Sequence, residues 1–162
     1  MNRFCRFAAA ALLAASGLCA HAGNFAGTVT HVTDGDSLWV RPAAGGPARE
    51  VRVQGIDAPE ICQAYGRQSR DALAAQVLHR QVRVAGRGRD TYRRTLAQVS
   101  FGGQDVGAWM VSSGHAWSYR FRRDTGPYSQ QESQARSARL GLWSDNAPMA
   151  PRDFRKRHGS CK

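Results

Sequence analysis

Short β-branched segments separated by turn residues most constrain what this chain can fold into. The strongest turn signal is Asp34-Gly35, which separates residues 27–33 from residues 37–41 and predicts a β-hairpin. A Gly/Pro/Ala turn then leads to the alternating sequence Val51-Arg52-Val53. Because successive side chains of a strand point to opposite faces, we expect the two valines to share one face and the arginine to lie on the other.

Two further strands and three helices complete the predicted order. The strands are residues 81–84 and 95–101, and the helices are residues 66–80, 105–113 and 127–140. Five strands with a helix inserted after the third fit a small closed barrel. The predicted fold class is therefore α+β and mainly β, a five-stranded oligonucleotide-binding-type barrel with three packed helices.

The first 22 residues have the layout of a secretory signal peptide. Two arginines precede an apolar run at residues 7–19, and Ala20-His21-Ala22 is a small-x-small cleavage sequence. The run is too short to span a bilayer. We expect cleavage after Ala22 and a secreted or periplasmic monomer. The predicted parts of the chain are a signal peptide (1–22), a domain (23–146) and a basic tail (147–162).

The chain is strongly basic. Its 23 basic residues against 12 acidic ones give a net charge of +11, and removal of the two signal-peptide arginines leaves +9. Such a charge attracts nucleic acid, anionic lipid or acidic polysaccharide, or belongs to a solvated surface with no dedicated partner. Nearly all the basic residues are arginines, which grip phosphate bidentately and so favour nucleic acid slightly. No strongly amphipathic basic helix supports action on membranes.

Four of the 12 acidic residues are concentrated in residues 34–60: Asp34, Asp36, Asp57 and Glu60. Such a cluster is repulsive unless a cation or arginines offset it. Asp-Gly turns and acidic loops with proline are each common, so neither motif alone indicates a site. Together they supply hard oxygen ligands suited to Ca²⁺, and no group of His and Cys at zinc-ligand spacing competes with them.

Three motifs occur in order along the chain: residues 32–38 (VTDGDSL), 52–60 (RVQGIDAPE) and 92–96 (YRRTL). They resemble the motifs of the staphylococcal nuclease (thermonuclease) family, and the similarity extends over residues 25–143. The resemblance implies a secreted Ca²⁺-dependent endonuclease that acts on DNA and RNA. It also implies cleavage between phosphorus and the 5′ oxygen, which leaves 3′-phosphate ends.

The resemblance implies a role for each acidic candidate. Asp36 and Asp57 would ligate the metal together with the backbone carbonyl of Ala58, with Asp34 close behind them. Glu60 would be the general base that orients or deprotonates the attacking water. A carboxylate beside a metal is chemically suited to that role.

The resemblance also implies the residues that bind the substrate. Arg52 and Arg94 would be catalytic, since they would bind the phosphate and stabilise the charge that builds up on it. Tyr92 matches a position that contacts the nucleotide. Arg93 stands where the family usually has glycine, and we expect it to add charge beside the substrate strand.

A nucleic-acid-binding module of the same fold, without catalysis, is the main alternative. A barrel with a basic face suffices for such binding. Modules of that kind lose the acids and arginines of the motifs, whereas Arg52, Glu60 and Arg94 are all present in this chain.

Two cysteines, Cys62 and Cys161, remain after signal cleavage. In an oxidising compartment an isolated pair favours a disulfide, and the alternative is two unpaired thiols. A bridge would tie the tail to the segment that follows Glu60. We otherwise expect a loosely held tail, in which Arg155→Ala has little effect on activity.

Overall fold

The computed structural model describes residues 23–121 and 124–161. The predicted signal peptide lies outside these residues, so its cleavage stays a prediction. In chain order, the elements of the described residues are β1 (Phe25–Asp34), β2 (Ser37–Pro42), β3 (Arg49–Val53), β4 (Ile56–Asp57), α1 (Gly66–Val77), β5 (Gln81–Arg89), β6 (Thr95–Phe101), β7 (Gln104–Asp105), α2 (Val106–Ser112), β8 (Trp117–Ser118), α3 (Ser129–Ser137), a 3₁₀ helix (Gly141–Ser144) and α4 (Pro151–His158).

Five of these strands close into the predicted barrel. Their order is β3-β2-β1-β5-β6 with antiparallel neighbours, and β3 pairs in parallel with β6 to complete the ring. Closure leaves these strands without long unpaired edges. The oligonucleotide-binding-type barrel predicted from the sequence is therefore confirmed.

Strand alternation separates the core from the site. Val51 and Val53 on β3 are buried in the barrel. The intervening side chain, Arg52, lies on the opposite face, where its guanidinium pairs with acidic side chains. The predicted placement of the two valines on one face of β3 and of Arg52 on the other is therefore observed.

Close packing explains the glycine of the first hairpin. A Cβ atom at Gly35 would overlap Ser69 of α1 and the side chain of Ala58. The glycine therefore allows α1 and the loop after β4 to approach the β1–β2 turn, which brings the first two acidic motifs together.

α1 ends at Val77, three residues before its predicted end. Leu78 has extended dihedrals, and His79 has a φ of 61°. The N–H of His79 donates to the carbonyl of Val29 at 2.9 Å, and the N–H of Val29 donates to the carbonyl of Arg80 at 3.0 Å. Bonding to β1 thus replaces the last predicted turn of the helix.

α3 is also shorter than predicted, and a buried carboxylate holds it in place. Glu132 accepts hydrogen bonds from the N–H of Ser118 at 2.8 Å and from the guanidinium groups of Arg120 and Arg136. Ser118 belongs to β8, which pairs with β4 and so supports the strand that carries Asp57.

The C-terminal tail is tied to β4 and to the segment that follows it, so the prediction of a loosely held tail is wrong. It forms a fourth α-helix, α4, in addition to the three predicted. A disulfide joins Cys62 to Cys161, with the Cα atoms 5.8 Å apart. The amide of Gln63 also donates to the carbonyl of Met149 at 2.6 Å. None of the helices in the described part of the chain has the length and apolar character needed to cross a membrane.

Candidate active site

Asp36 lies at the centre of the acidic cluster. Its Oδ1 accepts from the hydroxyl of Ser37 at 2.9 Å, and its Oδ2 accepts from the N–H of Ala58 at 3.0 Å. The N–H of Asp36 in turn donates to Oδ1 of Asp34 at 3.0 Å. The hairpin turn and the loop after β4 are therefore joined at one carboxylate.

Arg52 bridges two of the predicted metal ligands. Its Nη1 lies 2.5 Å from Oδ1 of Asp36, and its Nη2 lies 3.2 Å from Oδ1 of Asp57. Burial acts to lower the pKa of Arg52, but the attraction of the carboxylates is larger and the net shift is upward. Arg52 is therefore held as a cation beneath the cluster.

The charged forms of two carboxylates in the cluster are destabilised, as their pKa values show. Burial and the neighbouring Asp36 raise the pKa of Asp34 to about 7. Burial also raises the pKa of Asp57, against the opposing effect of two arginines. Burial and the adjacent carboxylate thus disfavour the charged forms of these acids, whereas nearby positive charge favours them.

Arg155 of α4 is a site residue that the sequence analysis missed. Its Nη1 lies 2.8 Å from Oε1 of Glu60, and its Nη2 lies 3.1 Å from Oδ2 of Asp57. The expectation that Arg155→Ala has little effect therefore rested on a wrong premise. The predicted bridge between Cys62 and Cys161 was the one signal that could have found it, because it ties the tail beside Glu60.

Arg94 reaches the cluster from the turn that precedes the barrel strand β6. Its Nε pairs with Oδ2 of Asp90 at 2.7 Å, and its Nη1 donates to the hydroxyl of Ser37 at 3.2 Å. Ser37 is itself bonded to Asp36, so a chain of contacts links Arg94 to the acidic residues.

Asp90 is a second residue to which the sequence analysis gave no role. Its Oδ1 accepts from the backbone N–H groups of Tyr92 and Arg94, at 3.0 and 2.9 Å. An Asp that accepts hydrogen bonds from the backbone after it is a common turn initiator, and this pattern could have indicated its role. Asp90 thus orients both the turn and the guanidinium of Arg94.

The two predicted substrate-binding residues lie on this turn. Tyr92 is 76% exposed, and its ring centroid lies 5.3 Å from the guanidinium carbon of Arg94. Arg93 is also exposed and has a φ of 67°, in the left-handed region that favours glycine. That backbone conformation explains why glycine suits this position in the family that the sequence resembles.

An open cleft of about 1120 Å³ collects most of these groups. Its volume is above the usual range of small-molecule pockets, about 300–1,000 Å³. Its lining includes Asp34, Asp36, Arg52, Ala58, Glu60, Tyr92, Arg94 and Arg155. Asp57 is not among the residues that line this cleft, but it bonds to Arg52 and Arg155, which are.

The predicted metal ligands have the donor atoms that a hard divalent cation takes. Within residues 23–121 and 124–161, no three His, Cys, Asp or Glu side chains form a metal-binding group. The predicted ligand set needs only two carboxylates, Asp36 and Asp57, together with a backbone carbonyl. These are oxygen donors of the kind that Ca²⁺ takes, and in this structure guanidinium groups bond to both carboxylates.

A closed barrel whose cleft combines buried carboxylates with arginines is suited to an anionic substrate, and the chain is similar in sequence to known proteins. Residues 50–145 match the family model described as staphylococcal nuclease homologue. An uncharacterized endonuclease of Haemophilus influenzae is 38% identical over 128 residues, which cover 79% of this chain and 71% of the relative. A micrococcal nuclease of Shigella flexneri is 35% identical over 144 residues, 82% of each chain. The chain belongs to the staphylococcal nuclease family.

Proposed function

We propose that the mature protein is a secreted, Ca²⁺-dependent endonuclease that hydrolyses phosphodiester bonds of DNA and RNA and leaves 3′-phosphate ends. One observation carries the proposal: Arg52, Glu60 and Arg94 line a single cleft together with Asp34 and Asp36. Membership of the family and the relatives named as endonucleases support the nuclease class.

The two arginines address the first difficulty of the reaction. A phosphodiester is an anion, so its charge must be offset before a nucleophile can approach phosphorus. The guanidinium groups of Arg52 and Arg94 do this, and their interaction strengthens as charge accumulates on the phosphate oxygens in the transition state. The low exposure of both side chains, 18%, increases the strength of that interaction.

Glu60 supplies the base. The oxygen of the attacking water forms a bond to phosphorus while its proton passes to the carboxylate of Glu60. The bond from phosphorus to the 5′ oxygen breaks, and that oxygen leaves with the electron pair and takes a proton from solvent. In the described part of the chain the contacts of this carboxylate involve Oε1, which leaves Oε2 for the water.

Asp36, Asp57 and the carbonyl of Ala58 would hold the metal. Bound there, Ca²⁺ would supply Lewis-acid stabilisation of the negative charge on the phosphate. Because the site binds the phosphate and not the 2′-hydroxyl, we propose that both DNA and RNA are substrates.

Removing the metal tests the proposal. We expect the mature protein to degrade plasmid DNA and RNA with millimolar Ca²⁺, to stop in excess chelator, and to recover when Ca²⁺ is added back. The reason is that the bound metal would offset the negative charge of Asp36 and Asp57 and would add Lewis-acid stabilisation to that given by the two arginines. The products should become substrates for 3′ extension only after phosphatase treatment.

Two other outcomes would contradict this proposal. Undiminished cleavage in chelator would remove the role of the metal. Tight binding of DNA with no cleavage under any metal would favour the non-catalytic binding module.

Secretion has its own test. We expect the protein exported by a bacterial host that expresses the full chain to begin at Gly23, because Ala20-His21-Ala22 is the only part of the N-terminal region that we interpret as a cleavage sequence. N-terminal sequencing of the periplasmic and culture fractions measures this. Protein found only in the cytoplasm with Met1 retained would contradict export.

A further inference from the structure

We infer that Arg155 is a positioning residue of the hydrolysis, which holds the carboxylate of Glu60 in the orientation that accepts the proton of the attacking water. The inference rests on the proposed function, because Glu60 needs positioning only if it acts as the base. It adds a residue from the C-terminal helix to a site otherwise formed by the barrel and its loops.

The contacts of Arg155 form a clamp between two acidic side chains. One guanidinium nitrogen bonds Glu60, and both nitrogens bond Asp57 at 3.1–3.3 Å. Asp57 is itself fixed by Arg52 and by strand pairing. Because Arg155 bonds to both side chains, the fixed position of Asp57 also restrains the carboxylate of Glu60.

Glu60 has little else to fix its side chain. Its backbone N–H and carbonyl bond to Gln63, but these bonds leave the side-chain torsions free. Among the described residues, Arg155 is the donor that contacts its carboxylate. A general base contributes fully only when it is held near the proton it takes, so a freely rotating Glu60 would be a weaker base.

Helix α4 can hold Arg155 steady because it is anchored around the same loop. The disulfide joins Cys161 to Cys62, and Met149 accepts a hydrogen bond from Gln63. These anchors lie on both sides of Arg155 in the sequence, and their partners lie two and three residues after Glu60. The base and its clamp are thus connected through covalent and hydrogen bonds within a few residues.

The test compares two arginines of the same helix. Arg155→Ala and Arg157→Ala remove the same charge, but Arg157 is exposed and lies outside the cleft. With saturating Ca²⁺ and a defined oligonucleotide, we expect Arg155→Ala to lower kcat about 10- to 100-fold, a typical loss when a supporting hydrogen-bond partner is removed. KM should change less than about threefold, because uniform substrate binding is retained. Arg157→Ala should leave both constants within about twofold.

Two further variants separate positioning from a general structural role. Arg155→Lys keeps the charge but lacks the planar fork, so it should recover only part of kcat. In a Glu60→Ala background, Arg155→Ala should add less than about threefold, because its effect passes through Glu60. Thermal melting of every variant verifies folding, and Arg155→Gln substitutes for Arg155→Ala if the alanine variant fails to fold.

The contrary results fall into two groups, according to whether they overturn the positioning role alone or the proposed function as well. Equal effects of Arg155→Ala and Arg157→Ala, a loss confined to KM, or an undiminished loss in the Glu60→Ala background would each overturn the positioning role while the nuclease proposal stands. A wild-type protein that cleaves no nucleic acid would instead overturn the proposed function, and the positioning role with it.

Discussion

Arg94→Ala and Glu60→Ala are each expected to remove most of the turnover. Arg94 is aimed at the cluster by Asp90 and Ser37, so it is preorganised for charge that develops on a phosphate. Loss of one such preorganised donor typically costs about 10² to 10³ in kcat. Loss of a general base costs about 10² to 10⁴. We expect Arg52→Ala to be at least as damaging, because it also leaves Asp36 and Asp57 without their shared partner.

Single-turnover cleavage of a labelled oligonucleotide at saturating Ca²⁺ measures these losses. Arg83→Ala is the matched control for the arginines, because Arg83 is an exposed barrel residue that does not line the cleft. Melting temperatures show whether Arg52→Ala acts through stability. Near-wild-type rates for Glu60→Ala would make the general-base assignment wrong.

Removal of the disulfide is expected to have the largest effect on stability. Cys62 and Cys161 are 99 residues apart, and the chain-entropy model gives about 4 to 5 kcal/mol for closing such a loop, an upper value. The bridge also anchors α4, so its loss should reduce kcat through Arg155 as well. The expected result is a lower free energy of unfolding together with slower cleavage.

Urea unfolding of the mature protein and of a Cys62→Ser/Cys161→Ser variant measures the stability difference. Thiol titration of unfolded, non-reduced protein should find no free thiols, and reductant should leave the serine variant unchanged. Two thiols per monomer, or equal unfolding free energies, would contradict the prediction.

The barrel could be predicted because its signals are local. Alternation in Val51-Arg52-Val53 is visible within three residues, and the Asp34-Gly35 turn lies directly between its two strands. Residues 95–101 form the strand with the bounds predicted for it. Helix ends were less predictable, since α1 stops where His79 bonds to β1, a partner distant in the sequence.

The sequence by itself also supplied most of the residues of the candidate site. Its residues lie in short motifs, within which an Asp-Gly turn, an acidic loop and an arginine-bearing turn each carry their chemistry in adjacent positions. The family resemblance then implied that these motifs meet, and the structure brings Asp36, Arg52, Asp57 and Arg94 into one network.

Only the tertiary structure decided the role of the C-terminal segment. Arg155 lies 95 residues from Glu60 in the sequence, within a basic run whose charge pattern is the same as that of a solvated tail. No local periodicity distinguishes it from Arg157, because both are arginines of one short helix. The difference between the two side chains arises because α4 is packed and tethered by the disulfide, which fixes the direction in which each side chain points. That direction depends on tertiary contacts, so the sequence of the helix alone does not show it.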